Sequence, residues 1–210
     1  MSHDDFAVEP VEGLPERPPE GEHILWQGRP NWWALTCDAL NLYWVAGYFV
    51  VLAVWRLATL VDQVGFAGAF AASSPFLIMG LIVCAMLSIV GYAQARATVY
   101  TITNCRIAMR TGAALTVTLN LPFTQIGDAT LKTHRNGTGT IALDLLGTTR
   151  LSYLVCWPHA RPWVLRRTQP ALRCIPDAGQ VARLFSEAAE ARVNTPQIQR
   201  RTPHMAVAAE

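Results

Sequence analysis

Five histidines and five cysteines are the obvious candidates on this chain for metal ligation or nucleophilic chemistry, and their spacing favours neither. The histidines stand at His3, His23, His134, His159 and His204, with no two close in sequence. Cys37, Cys84, Cys105, Cys156 and Cys174 include no C-x-x-C pair of the kind that holds zinc or cycles as a disulfide. Five reduced, mostly buried thiols are expected. G-x-S-x-G, H-E-x-x-H and Gly-rich phosphate loops are all missing. Between residues 96 and 175 the acids are Asp128 and Asp144, too sparse for a general acid/base pair. The expectation is a protein that is not an enzyme and holds no metal or cofactor.

A different chemistry is concentrated in one irregular stretch. Trp157, His159, Arg161, Trp163, Arg166 and Arg167 lie within eleven residues of one another. Trp and Arg are the types enriched at binding hot spots. This loop is read as a partner or lipid-headgroup surface; the competing reading is a loop packed on the end of the domain. It belongs to a basic region, since residues 96–175 carry ten bases against two acids. Beside a membrane such charge fits an anionic leaflet or a protein better than nucleic acid, which is not expected as a partner.

The membrane itself follows from composition. Hydrophobic residues make up 51% of the 210 and charged residues 15%, with a mean hydropathy of +0.23. A soluble domain has about a quarter of its residues charged. The deficit is local: residues 39–55 and 64–95 hold no Asp, Glu, Lys or Arg. About twenty helical residues cross a hydrocarbon core of ~30 Å. A two-helix transmembrane hairpin is therefore expected over 39–95, with spans near 39–60 and 76–93 and a break at Ser73-Ser74-Pro75; the stretch between them, 64–75, reads either as a periplasmic interfacial turn or as the first part of a long helix. Neither span has a histidine to ligate a pigment metal, and Gly47, Gly80 and Gly91 would permit close helix approach. Residues 23–38 precede the hairpin, and Trp26, Arg29, Trp32 and Trp33 read there as an interface anchor. Arg29 on one side and Arg96, Arg106 and Arg110 on the other place both termini in the cytoplasm of a bacterial inner membrane. The N-terminus lacks the basic and apolar regions of a signal peptide.

The flanks differ in charge. Residues 1–38 hold eight acids and two arginines, whereas residues 39–210 hold seven acids and fifteen bases. That asymmetry fits internal contact or separate partners. Residues 1–22 read as a disordered acidic tail and 193–210 as a second disordered tail. Residues 96–192 read as a cytoplasmic strand-rich domain. Strands are expected at 99–103, 106–110, 115–119, 129–133, 140–145 and 150–155, with an Asn136-Gly137 hairpin turn. A helix follows Asp177, with Val181, Leu184, Phe185 and Ala188 on one face.

The segments Leu25-Trp26-Gln27-Gly28-Arg29-Pro30, Tyr100-Thr101-Ile102-Thr103-Asn104-Cys105-Arg106 and Leu121-Pro122-Phe123-Thr124-Gln125-Ile126 resemble the bacterial pleckstrin-homology-like (PH-like) membrane proteins. Cys105 departs from the arginine usual there. The resemblance implies a PH-like β-barrel of about seven antiparallel strands with a C-terminal helix. Within that family the chain is similar to the photosynthetic-complex assembly proteins of purple bacteria. The likeness runs through Ala114–Phe123, Gly137–Leu145 and Leu151–His159. It implies an assembly factor in the intracytoplasmic membrane whose partners are reaction-centre and core antenna polypeptides, with a possible homodimer and contact with anionic lipid. The alternative is a membrane-anchored PH-like domain that reads lipid headgroups or acts as a general scaffold.

Overall fold

A computed structural model describes residues 11–113, 116–134, 136–147 and 151–194. In chain order the elements are β1 (Ile24–Gly28), α1 (Trp32–Ala39), α2 (Leu42–Arg96), β2 (Val99–Thr103), β3 (Arg106–Thr111), β4 (Val117–Pro122), β5 (Ile126–Thr133), β6 (Thr138–Leu145), α3 (Tyr153–Cys156), β7 (Ala171–Pro176) and α4 (Ala178–Asn194). The strands form two antiparallel sheets, β1-β2-β3-β4 and β5-β6-β7. Because β1 pairs with β2, the whole of α1 and α2 is an insertion between two neighbouring strands of one sheet.

The strand-rich domain owes its order to alternation. Tyr100 and Ile102 on β2 face Ile107 and Met109 on β3 across one core, which Ile141, Leu143, Leu172 and Ile175 close from the second sheet. Helix α4 covers the remaining side. Val181 and Phe185 are buried, and the Phe185 ring meets Phe123 edge-on at 5.5 Å. Ile102, Ile141 and Leu143 are buried in this core as expected; Val99, three residues from Ile102, is buried on the other face of β2 beside Gly13, and Val117 and Leu119 on the edge strand β4 are half-buried. The sheets do not close into a barrel. A 3₁₀ turn at Phe123–Gln125 ends the ladder between β4 and β5, so the sheets meet through side chains and α4.

Several expectations are corrected here. The expected strand at 150–155 is the short helix α3, with Cys156 N–H bonded to the Ser152 carbonyl at 3.1 Å; Arg150 lies outside the described residues. Four residues are too few for alternation to separate strand from helix. The seventh strand is instead β7, hidden by Arg173 at a buried position, and β1 comes from the segment expected to be an interfacial anchor. The 1–22 tail is not free throughout. Leu14 is buried, the Gln27 side chain donates to the Glu12 carbonyl, Glu22 pairs with Arg106 at 2.8 Å, and Glu12 pairs with Arg29. The acidic flank is thus laid on the basic sheet from residue 11 onward. Residues 1–10 and the tail beyond 194 lie outside the described residues.

The inserted segment is one helical run long and apolar enough to cross a membrane, with only 11% of its most apolar window buried. Asn31 opens α1 by accepting the Ala34 N–H at 3.0 Å, and Asn41, with φ 53, separates α1 from α2. Within α2 the one residue off helical geometry is Gly65, with φ 71 and ψ 170. The break expected at Ser73-Ser74-Pro75 is not there: the helix continues through Pro75, and Ser73 and Ser74 donate to the Ala69 and Ala71 carbonyls. Such back-bonding satisfies a hydroxyl in apolar surroundings. A Cβ built on Gly80 would lie 2.7 Å from the Phe49 Cβ, and one on Gly91 would lie 2.0 Å from the Thr36 hydroxyl. These two glycines serve packing within the chain; Gly47 has nothing within 4 Å.

Candidate functional site

The 151–170 connection between β6 and β7 divides into a buried base and an exposed rim. The base is a chain of hydrogen bonds in which each donor is used once. The backbone N–H of Arg173 donates to the Tyr100 hydroxyl at 3.2 Å. Tyr100 lies 2.5 Å from His159 Nδ1, His159 Nε2 lies 3.0 Å from the Thr98 hydroxyl, and Thr98 donates to the Gln94 carbonyl at 2.7 Å. Because the Thr98 proton is committed to Gln94, His159 must donate from Nε2 and accept at Nδ1 from Tyr100. This is a neutral imidazole. Burial and the nearby Arg173 charge lower its pKa to about 3, and burial holds the Tyr100 phenol well above its usual range. The chain starts on β7 and ends on the last turn of α2.

Beside it, Arg173 is buried, pairs with Asp38 of α1 and donates to the Pro158 carbonyl at 3.1 Å. The backbone N–H of Asn31 donates to the Cys174 carbonyl at 2.8 Å. Both ends of the inserted segment are therefore fastened to β7 and to the loop base.

The rim carries what remains. Trp163 is 91% exposed, Leu154 85% and Leu165 66%. Arg161, Arg166 and Arg167 are exposed among them. Arg161 donates to the Gln169 side chain at 3.1 Å, and Arg167 lies 3.7 Å from Asp144. Of the six residues expected to form a surface, Trp157, Arg161, Trp163, Arg166 and Arg167 are exposed. His159 is not: it is 1% exposed and fully bonded, so it supports the loop from beneath. The expected anchor set divides too. Trp26 packs against the core from β1, filling the space above Gly28, and Arg29 pairs with Glu12. Trp32 and Trp33 are half-exposed on α1, with Trp32 edge-on to Tyr92 of α2 at 6.0 Å. Leu154 and Leu165 were missed in the sequence because single exposed leucines carry no pattern.

Among the described residues, Asp38, His134 and Cys174 place possible metal donors within 4.8 Å of one another. Their present chemistry does not suit a cation. Asp38 is engaged by Arg173, and burial with the Asp38 charge pushes the Cys174 thiol up to about 12.

The family model described as bacterial PH domain matches residues 42–189. The chain belongs to the bacterial PH domain family. A Rhodobacter capsulatus protein described as an uncharacterized 23.7 kDa protein in the puhA 5' region is 48% identical over 200 residues, covering 94% of each chain. No solved structure matches the chain. In this bacterial PH domain the helical segment occupies the β1–β2 connection, and the surface described above occupies the β6–β7 connection.

Proposed function

We propose that this PH-domain protein is a non-enzymatic assembly factor for the photosynthetic reaction centre and core light-harvesting complex. The observation that carries the reading is near-full-length kinship with a purple-bacterial protein encoded beside puhA, a reaction-centre gene. In this reading the chain is held in the inner membrane by a helical hairpin, with both termini cytoplasmic.

The geometry supports the hairpin in three ways. Strands β1 and β2 are paired, so both ends of the insertion leave the same sheet. Helix α1 lies against the last turns of α2 through Thr36–Gly91 and Trp32–Tyr92. Phe49 approaches Gly80, which an unbroken helix would hold more than 40 Å away at ~1.5 Å per residue, and Gly65 is the place where the path can reverse. Each half is long enough for a ~30 Å hydrocarbon core. With no histidine in α2, the protein carries no stoichiometric bacteriochlorophyll and acts on apoproteins before the complex closes.

Deletion of the gene tests the assembly role. Reaction centre and core antenna should fall in the absorption spectra of phototrophic membranes while pigment precursors persist. Normal levels throughout induction would reject assembly and leave a general membrane scaffold. A periplasm-only reporter fused after Ala71 should be active, and one after Arg192 silent.

A further inference from the structure

We propose that the rim of the β6–β7 loop, centred on Trp163, is a second membrane contact: it lies in the interfacial layer of the anionic bilayer and fixes the tilt of the PH domain over it. The inference rests on the membrane-spanning reading of α2 and is independent of the assembly role.

Three observations lead there. The first is position. The loop base is bonded to Thr98, two residues beyond the end of α2, and Arg161 and Pro162 line the same cavity as Asp38, four residues before α2 begins. The rim is therefore tied to the chain at both points where it meets the membrane. The second is composition. Trp163, Leu165 and Leu154 are large apolar side chains left 91%, 66% and 85% exposed, and Val155 and Trp157 in the same connection are exposed as well. Such a patch marks an interaction site rather than a surface in water. The third is charge. Arg161, Arg166 and Arg167 are exposed in the same segment as Trp163 and Leu165, with Arg161 on the Gln169 side chain and Arg167 on the Leu145 carbonyl near Asp144 of β6, and the connection contributes no acid of its own between residues 151 and 170. Trp and Leu with interleaved Arg is the combination that seats a segment at the headgroup–acyl boundary. A protein groove would also take the apolar side chains, but it would not explain why they sit where the chain enters and leaves the bilayer. The base is rigid, since His159 has both ring nitrogens bonded, so the rim has a fixed height relative to α2.

A photo-crosslinking amino acid placed singly at Trp163, at Leu81 and at Arg183 tests this in the full chain. The protein is reconstituted into vesicles of equal parts phosphatidylglycerol and phosphatidylcholine, and adducts are read by mass spectrometry. Leu81 is exposed on α2 and reports the span; Arg183 is exposed on α4 and reports solvent. Lipid adducts at 163 and 81 but not at 183 are expected. Lipid at 81 without lipid at 163, or a protein adduct to a second copy at 163, overturns the proposal while the span survives. No lipid at 81 removes the span and the proposal together. In purely phosphatidylcholine vesicles the yield at 163 should drop, by up to roughly fivefold for each arginine engaged at ~1 kcal/mol. An unchanged yield overturns the electrostatic half.

Discussion

The two halves of the β6–β7 connection are built from the same kinds of residue and behave as opposites. In Trp157–Ala160, a proline, a histidine and an alanine are buried, and both nitrogens of the histidine ring are bonded, one to Tyr100 of the sheet and one, through Thr98, to the end of α2. In Arg161–Arg167, Trp163 and Leu165 are exposed, as are the three arginines of the same segment. Residue type does not separate them. What does is whether a neighbour offers a partner: Tyr100 and Thr98 present a hydroxyl on each side of His159, and nothing in the described chain rises to cover Trp163. The buried half sets the height and angle of the exposed half, so a surface with little packing of its own acquires a defined place.

The comparison breaks first if the core does not carry the domain. Leu143, fully buried on β6 beneath the loop, should cost about 2–5 kcal/mol as Leu143→Ala. Denaturant unfolding of the full chain in mild detergent, read through its β-sheet signal, checks this. The next effect is pH-dependent. His159 titrates near 6.5 when unfolded and near 3 when folded. Between those values the unfolded state binds more protons. Stability is therefore complete above about pH 6.5 and falls as pH drops toward 3, by ~1.4 kcal/mol per unit, or roughly 2–3 kcal/mol by pH 4.5. His159→Gln should start less stable and lack that slope. A slope that survives the substitution would mean another group sets it.

Much of the fold was legible in the sequence, and the failures have physical causes. Val99–Thr103 and Thr140–Leu145 declared themselves by alternation, and α4 by its Val181–Phe185 stripe. Strand β7 was invisible because a buried Arg173 looks like a surface residue until Asp38, 135 positions away, supplies its counter-charge. Trp26 read as a membrane anchor because tryptophan is common in both settings; only the β1–β2 pairing, made across the inserted helices, places it in the core. The loop was found by composition, but composition could not show that His159 faces inward.

A smaller effect sharpens the account of the base. Tyr100→Phe removes the hydroxyl that His159 Nδ1 and the Arg173 N–H share, leaving two buried groups unpaired. About 1–3 kcal/mol should be lost in the same unfolding measurement, with the ring's packing retained. With its acceptor nitrogen unpaired, His159 should also protonate at higher pH in the folded state, and the acid slope should begin to level off sooner.

The smallest effect belongs to the rim, and its smallness is what the comparison requires. Leu165→Ser exchanges an exposed apolar side chain for a polar one of lower volume, with no core contact to lose. The unfolding free energy in detergent should change by less than about 0.5 kcal/mol, as for surface positions elsewhere. If the rim is seated in lipid, the same substitution should weaken the contact at Trp163 in vesicles and lower its lipid crosslink. The two halves of the loop are then separable by one pair of variants: Tyr100→Phe moves stability, and Leu165→Ser moves membrane contact alone. A loss of 2 kcal/mol or more at Leu165 would show that the rim is packed on the domain after all, and the loop would then be one structural unit rather than a support and the surface it carries.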